Sequence, residues 1–150
     1  MADRIQFELV SPERLLLSEM VEMVVIPGTE GNFGVLPGHA PLISTIRPGM
    51  IEVYEGGTVR RRLFVVGGIA EVTPERCTVL ADAAMPPEEL DRGALEAELQ
   101  TLEGNLPSLR EQAARADGTE REQLLAELHA LERDRTILQA KLRVLAEAAP

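Results

Sequence analysis

Hydrophobic and polar positions alternate along the first half of the chain and recur at helical spacing along the second. From Ile5 to Ser11, Ile5, Phe7 and Leu9 fall on one face and Gln6 and Glu8 on the other, the period of a half-buried strand. Pro12 ends it. Met20 to Ile26 alternates again, with Glu22 opposed to Val21 and Met23, and runs into a turn expected at Pro27-Gly28. Met50 to Glu55 and Thr58 to Val66 read as a hairpin across Gly56-Gly57, a pair suited to the positive φ of a tight turn. In its second strand Arg60 and Arg62 fall on one side and Arg61, Leu63 and Val65 on the other, a pattern of solvated strand charges. Gly67-Gly68 breaks the alternation, Ile69 to Thr73 resumes it, Pro74-Glu75 makes a turn, and Arg76 to Ala81 is the last strand. Short strands separated by turn residues predict an antiparallel sandwich or barrel, and no helical period precedes Pro86.

The pattern changes at Met85-Pro86-Pro87, because consecutive prolines cannot continue a hydrogen-bonded ladder. Leu95, Leu99, Leu102, Leu106 and Leu109 then follow spacings of four and three, as do Leu124, Leu128, Leu131, Leu138, Leu142 and Leu145 around Arg135. Two helices are predicted, turning at Ala116-Asp117-Gly118, with Thr119 and Glu122 as a capping box for the second. So short a turn makes them antiparallel neighbours. The fold expected is an N-terminal antiparallel β-sandwich, residues 1–87, followed by a C-terminal antiparallel two-helix hairpin, residues 88–150. Pro107 predicts a kink or break near Gly104 to Pro107, and Arg135 stands in the seam where leucine is expected.

The most distinctive stretch is PGTEGNFGVLPGHAPLISTIRPG, Pro27 to Gly49, which holds five of the twelve glycines and four of the ten prolines. It keeps Phe33, Val35, Leu36, Leu42, Ile43 and Ile46 between its turns, so it folds rather than linking. It has no Lys-Ser/Thr ending and no following helix N-terminus, which excludes a phosphate-binding loop.

Composition narrows the classes. In a chain of 150 residues and net charge -10, the only basic run is Arg60-Arg61-Arg62, which argues against a nucleic-acid partner. The single Cys77 excludes an intrachain disulfide and reads as a buried strand thiol, and with His39 and His129 it leaves too few soft ligands for a structural zinc. No run approaches the roughly 20 apolar residues of a membrane span. A strand pattern near the N-terminus gives the expectation of no signal peptide and a reducing cytoplasm. His39, between prolines, is the one candidate base in the sandwich and suits an interface or a rigid loop better than catalysis.

EGNFGVLPGHAPL, IRPG, FVVGGIAEV and CTVLAD occur in that order between about Phe7 and Ala84, and together they resemble the epsilon subunits of rotary proton-driven ATP synthases. The resemblance implies a non-catalytic central-stalk subunit, peripheral at the cytoplasmic face of the bacterial inner membrane. Its sandwich would bind the gamma shaft and sit on the membrane rotor ring, and its hairpin would fold down or extend toward the alpha and beta subunits of the catalytic head. By position Glu30, Gly31 and Asn32 resemble the ring-facing loop, with Asn32 where some relatives carry an acid. Ser11, His39 and Ser44 resemble gamma-facing positions.

Residues 88–150 carry fourteen acidic and eight basic side chains, yet Arg133, Arg135, Lys141 and Arg143 gather late in the second helix. A solvated helix face accounts for them. The resemblance instead implies a brake on ATP hydrolysis with these four as contacts. Some bacterial relatives bind ATP through a pattern resembling Leu-Asp-x-x-Arg-Ala; Leu90-Asp91-Arg92-Gly93-Ala94-Leu95 has Ala94 in place of that arginine, so neither ATP nor another cofactor is expected. Two other classes stay open from the residues alone. One is a cytoplasmic sandwich adaptor that dimerises through its leucine-rich helices, and the other a small hydrolase dependent on His39, for which the sequence lacks further candidate residues.

Overall fold

The computed structural model describes residues 3–148, in two compact units divided after Glu89. The first unit is one long sheet of ten strands. β1 (Ile5–Val10) buries Ile5, Phe7 and Leu9 completely and leaves Gln6, Glu8 and Val10 half-buried, as its alternation requires. β2 (Leu15–Val21) returns antiparallel to β1 through a turn in which Ser11 and Arg14 exchange backbone hydrogen bonds.

The strand expected from Met20 to Ile26 is two strands. β2 stops at Val21 and β3 (Met23–Gly28) starts after Glu22, because Val21, Val24 and Ile26 are all buried and one unbroken alternation cannot face all three inward. The break lets the chain pass from the outermost strand of the sheet to its middle. Glu22 accepts a hydrogen bond from the Gly56 backbone N–H, which ties the break to a neighbouring hairpin.

Pro27 and Gly28 belong to β3 and not to a turn. The turn falls at Thr29-Glu30, and β4 (Gly31–Val35) pairs back on β3 with Pro27 opposite Asn32 and Gly28 opposite Gly31. A side chain at Gly28 would meet the Gly31 carbonyl oxygen at 2.8 Å and the Phe33 ring at 3.0 Å, so only glycine permits this pairing. β5 (Leu42–Ile46), β6 (Gly49–Glu55), β7 (Thr58–Val65), β8 (Gly68–Val72), β9 (Arg76–Ala81) and the short β10 (Ala84–Met85) complete the sheet.

The β6–β7 hairpin forms on Gly56-Gly57 at φ 61° and 77°. Its register slips, with Val53 opposite Arg61 but Tyr54 opposite Val59, which leaves Arg60 as an extra, bulged residue. The alternation is therefore lost at the bulge, where Arg60 and Arg61 both reach Glu19, and holds from Arg61 onward, with Leu63 and Val65 turned to the core and Phe64 to the other side.

The strand order is β10-β7-β6-β3-β5-β8-β9-β1-β2, with β4 added beside β3. Pairing is antiparallel except between β1 and β9, which run parallel with Phe7 opposite Cys77. That parallel pair follows from the N-terminal strand entering between β9 and β2 rather than joining a hairpin with β9. Arg4 reaches Glu55 at 2.6 Å and Arg60 reaches Glu19 at 2.6 Å, so the sheet curls until β2 faces β6 and β7. The enclosed core is aliphatic, with Phe7 as its largest fully buried side chain in company with Ile5, Leu9, Val24, Ile26 and Ile51.

The second unit is a pair of helices, α1 (Arg92–Arg115) and α2 (Gly118–Ala148). A short 3-10 turn, Pro87–Glu89, ends the first unit before them. Leu95, Leu102, Leu106 and Leu109 of α1 pack with Leu128 and Leu138 of α2 in one apolar cluster. The break expected near Pro107 does not occur. Pro107 lies on the exposed face of a continuous helix, and the buried Leu102, Leu106 and Leu109 on either side hold it in place. The capping box is not used either, since α2 begins at Gly118 and Thr119 lies inside its first turn.

Candidate functional site

The turn carrying Glu30, Gly31 and Asn32 is exposed, with Gly31 at φ 136°. Its shape is held from the neighbouring chain. Thr29 N donates to Thr45 O at 3.1 Å, Arg47 N to Pro27 O at 2.9 Å, Arg47 Nη1 to Gly28 O at 2.5 Å, and Arg47 Nη2 to Asn32 Oδ1 at 2.6 Å. These bonds explain why the segment's glycines and prolines end in a defined protrusion.

Ser11, His39 and Ser44 do not form one cluster. Ser11 is half-buried in the β1–β2 turn, and its hydroxyl donates to the Arg14 carbonyl at 3.3 Å. His39 is half-buried in the β4–β5 connection, its Nδ1 2.7 Å from the Ala40 carbonyl, and the same loop is tied down by Gly38 N donating to Pro74 O. Ser44 lies on β5, two strands from β9 and three from β1 by way of β8, and points to the opposite side of β5 from Ile43 and Thr45.

A feature that the sequence reading passed over connects these regions. Thr45, Ile69, Leu80, Val10 and Leu15 are cross-strand partners in turn on β5, β8, β9, β1 and β2. Ile69, Leu80 and Leu15 are each about half exposed, and Ile43, one step along β5, is 74% exposed. They form an apolar row on the outer face of the sheet. Its signal was in the alternation: Cys77, Val79 and Ala81 are the buried set of β9, which leaves Leu80 facing outward, and Ala70 and Val72 do the same for Ile69 on β8. The row begins at Thr45, whose carbonyl holds the exposed turn.

A shallow hollow of about 300 Å³ lies between Ser11 to Arg14 and Asp82 to Ala84, at the end of the row where Val10 meets Ser11. Cys77 is fully buried, and burial pushes its thiol up to about 12, which keeps it protonated and inert. Among the described residues no group of three or more His, Cys, Asp or Glu side chains is placed to hold a metal, and no helix is long and apolar enough to cross a membrane.

In the helical unit Arg133 and Arg143 are exposed and Arg135 and Lys141 half-buried. With roughly 3.6 residues per turn they point around α2 and do not share one stripe. Arg135 is already engaged across the pair, 3.9 Å from Glu103 of α1, and its Nε is buried without a hydrogen-bond partner. Asp91 caps α1, with Ala94 N donating to its Oδ1 at 3.4 Å, and Ala94 itself is exposed.

A curled sandwich followed by an antiparallel helical pair, with its distinctive surfaces on a turn and an apolar row, defines the class: a subunit built for contact. Residues 4–87 match the family model described as ATP synthase, delta/epsilon chain, beta-sandwich domain. An ATP synthase epsilon chain of Rhodospirillum rubrum is 55% identical over 120 residues, covering 80% of this chain and 90% of that one. Another, of Rhodospirillum centenum, is 50% identical over 148 residues, covering 97% and 94%. Among solved structures, a chain of the Euglena gracilis mitochondrial ATP synthase, in a structure of OSCP, F1 and c-ring, matches with TM-score 0.68 and 26% identity over 99% of this chain and 82% of that one. A chain from the Tetrahymena thermophila mitochondrial ATP synthase has the same fold at TM-score 0.56 and 13% identity, covering 93% and 94%. The chain belongs to the ATP synthase epsilon family, as a non-catalytic subunit of the central stalk.

Proposed function

We propose that the sandwich, residues 1–87, couples the membrane rotor ring to the gamma shaft, and that the helices, residues 88–150, restrain ATP hydrolysis. The exposed turn Glu30, Gly31 and Asn32 meets the ring. Gamma packs along the apolar row of Ile43, Ile69 and Leu80, with Ser11 and His39 at its margins, while Ser44, which points to the opposite side of β5, reaches gamma only from outside that row. The subunit works at the cytoplasmic face of the bacterial inner membrane, held there by its partners. When the helices extend, Arg133, Arg135, Lys141 and Arg143 contact acidic segments of the alpha and beta subunits in the catalytic head. Because those cations point around α2, a groove that surrounds the helix suits them better than a flat surface. ATP is not a ligand, since Ala94 offers no cation to a phosphate and the Asp91 carboxylate is occupied in capping α1.

The observation that carries the coupling role is the attachment of the turn to the row: Thr45 is both the first residue of the row and the acceptor for Thr29. Torque received at the turn passes through sheet hydrogen bonds to the face that holds gamma. The test is photocrosslinking in the assembled enzyme from a benzophenone maleimide attached to an introduced cysteine, with Cys77→Ala as background. Glu30→Cys is expected to link to the ring and Ile43→Cys to gamma; exchange of those partners would reverse the orientation. For the brake, deletion of the residues after Pro87 is expected to raise hydrolysis, more at low than at high salt. Unchanged hydrolysis at both would leave coupling as the subunit's sole role.

A further inference from the structure

Arg47 is the only lysine or arginine between Pro27 and Gly49, and its guanidinium bridges both strands of the β3–β4 hairpin. Nη1 donates to the Gly28 carbonyl at 2.5 Å and Nη2 to Asn32 Oδ1 at 2.6 Å, while the Arg47 backbone N–H holds Pro27 O at 2.9 Å. The Arg47 side chain is half-buried, whereas Thr29, Glu30, Gly31 and Asn32 are all exposed. A side chain built at Gly31 would meet nothing within 4 Å, so the outer side of the tip is open. The arginine fixes it from below.

The chemistry of the clamp also sets what the turn displays. A guanidinium only donates hydrogen bonds, so it selects the oxygen of the Asn32 amide and turns Nδ2, with its two hydrogens, toward solvent. A lysine would offer one compact charge and could not span both acceptors in the same plane. Ordering the turn before contact also lowers the entropy lost on binding.

We propose that Arg47 is the positioning residue of the ring-facing turn, and that by holding Asn32 Oδ1 it presents Asn32 Nδ2 as a donor to an oxygen acceptor, a backbone carbonyl or side-chain amide, on the partner's loop. This rests on the assignment of that turn to the ring, and the experiment separates the two. Assembled enzyme in inverted membrane vesicles is compared with Arg47→Ala, Arg47→Lys and Asn32→Ala, reading protons pumped per ATP hydrolysed and retention of gamma. Pumping per ATP is expected to fall about threefold to tenfold in Arg47→Ala and Asn32→Ala, the loss of a charge-assisted hydrogen bond, with partial recovery in Arg47→Lys and gamma retained throughout. If Arg47→Ala is not recovered in the complex, the other two variants decide. Unchanged pumping in Arg47→Lys and Asn32→Ala, while Glu30→Cys still links to the ring, overturns the positioning role and leaves the ring assignment standing. Failure of Glu30→Cys to link to the ring in the otherwise unaltered subunit overturns that assignment and this inference with it.

Discussion

Arg60 on β7 and Glu19 on β2 lie 2.6 Å apart, although six strands separate β7 from β2 in the order of the sheet. Arg61 approaches the same carboxylate at 3.6 Å. The bulge at Arg60 makes this double contact feasible, because without the extra residue neighbouring arginines would point to opposite faces. The hydrogen bond and the charge of Glu19 both push the Arg60 pKa further up. The pair ties β2, at one end of the strand order, to β7, next to the other end.

Glu19→Gln keeps the shape of the side chain and removes its charge. A small drop in melting temperature is expected at low ionic strength, shrinking as salt screens the exposed guanidinium groups. Melting curves at low and at molar salt check this. A drop of equal size under both conditions would show that Glu19 closes the sheet by packing and not by charge.

Gly68 is where β8 starts, at φ 141°, and a Cβ built there would lie 2.1 Å from the Leu80 carbonyl oxygen and 3.0 Å from the Ala81 Cα. Both obstacles are backbone of the paired strand β9, so no side-chain movement relieves them. Gly68→Ala is expected to destabilise the sandwich by about 3 kcal/mol through strain and lost pairing, read by denaturant unfolding. Gly104→Ala, in an open position on α1, serves as the contrast and is expected to be neutral or slightly stabilising.

The Cys77 thiol gives a pH dependence with a definite sign. Burial pushes it up to about 12, above the ordinary thiol value of 9.0, so the folded state retains a proton that the unfolded chain releases at lower pH. Its contribution to stability is complete below about pH 9 and declines as pH rises toward about 12. Urea unfolding of the parent and of Cys77→Ala between neutral pH and pH 11 is expected to show the steeper alkaline loss in the parent. Parallel loss in the two proteins would assign the alkaline sensitivity to other groups.

How much of this was readable in the chain depended on whether a residue's surroundings are local. β1, β6, β8 and β9 were legible because Phe7, Val53, Ala70 and Val79 sit at the centre of simple alternation with one buried face. β2 was not, since Leu15-Leu16-Leu17 has no period and the jump at Glu22 answers to the position of β3 in the middle of the sheet. The exposed turn was singled out by family likeness, whereas its glycines and prolines alone placed it two positions early, at Pro27-Gly28. What holds it was hidden, because Arg47 and Asn32 are fifteen positions apart and meet through the pairing of β3 with both β4 and β5. In the helices the leucine spacing was sufficient for the seam. The start of α2 was misplaced because Gly118 begins the helix two positions before the point at which a Thr119 cap would have started it.

Arg135 stands in that seam as the residue least suited to it. It is half-buried, its Nε has no hydrogen-bond partner, and Glu103 is only at the outer limit of an ion pair at 3.9 Å. A buried donor without a partner costs about 1–3 kcal/mol, and a marginal ion pair with partly exposed members returns less than that. Arg135→Leu is therefore expected to stabilise the helical pair, by removing the unpaired donor and extending the cluster of Leu106, Leu128 and Leu138. Leu106→Ala, at 2% exposure, is expected to cost about 2–5 kcal/mol in the same cluster. Thermal melting of the whole subunit followed by helical circular dichroism reads both. In the assembled enzyme the two variants then divide the roles proposed for Arg135. If its charge contacts the catalytic head, Arg135→Leu weakens the brake both by losing that contact and by holding the helices folded, so hydrolysis rises. Leu106→Ala, with the charge intact and the folded pair weakened, is expected to lower hydrolysis. A rise of hydrolysis in both variants would mean that the brake needs an intact helical pair, and would sink the view that folding of the hairpin competes with inhibition.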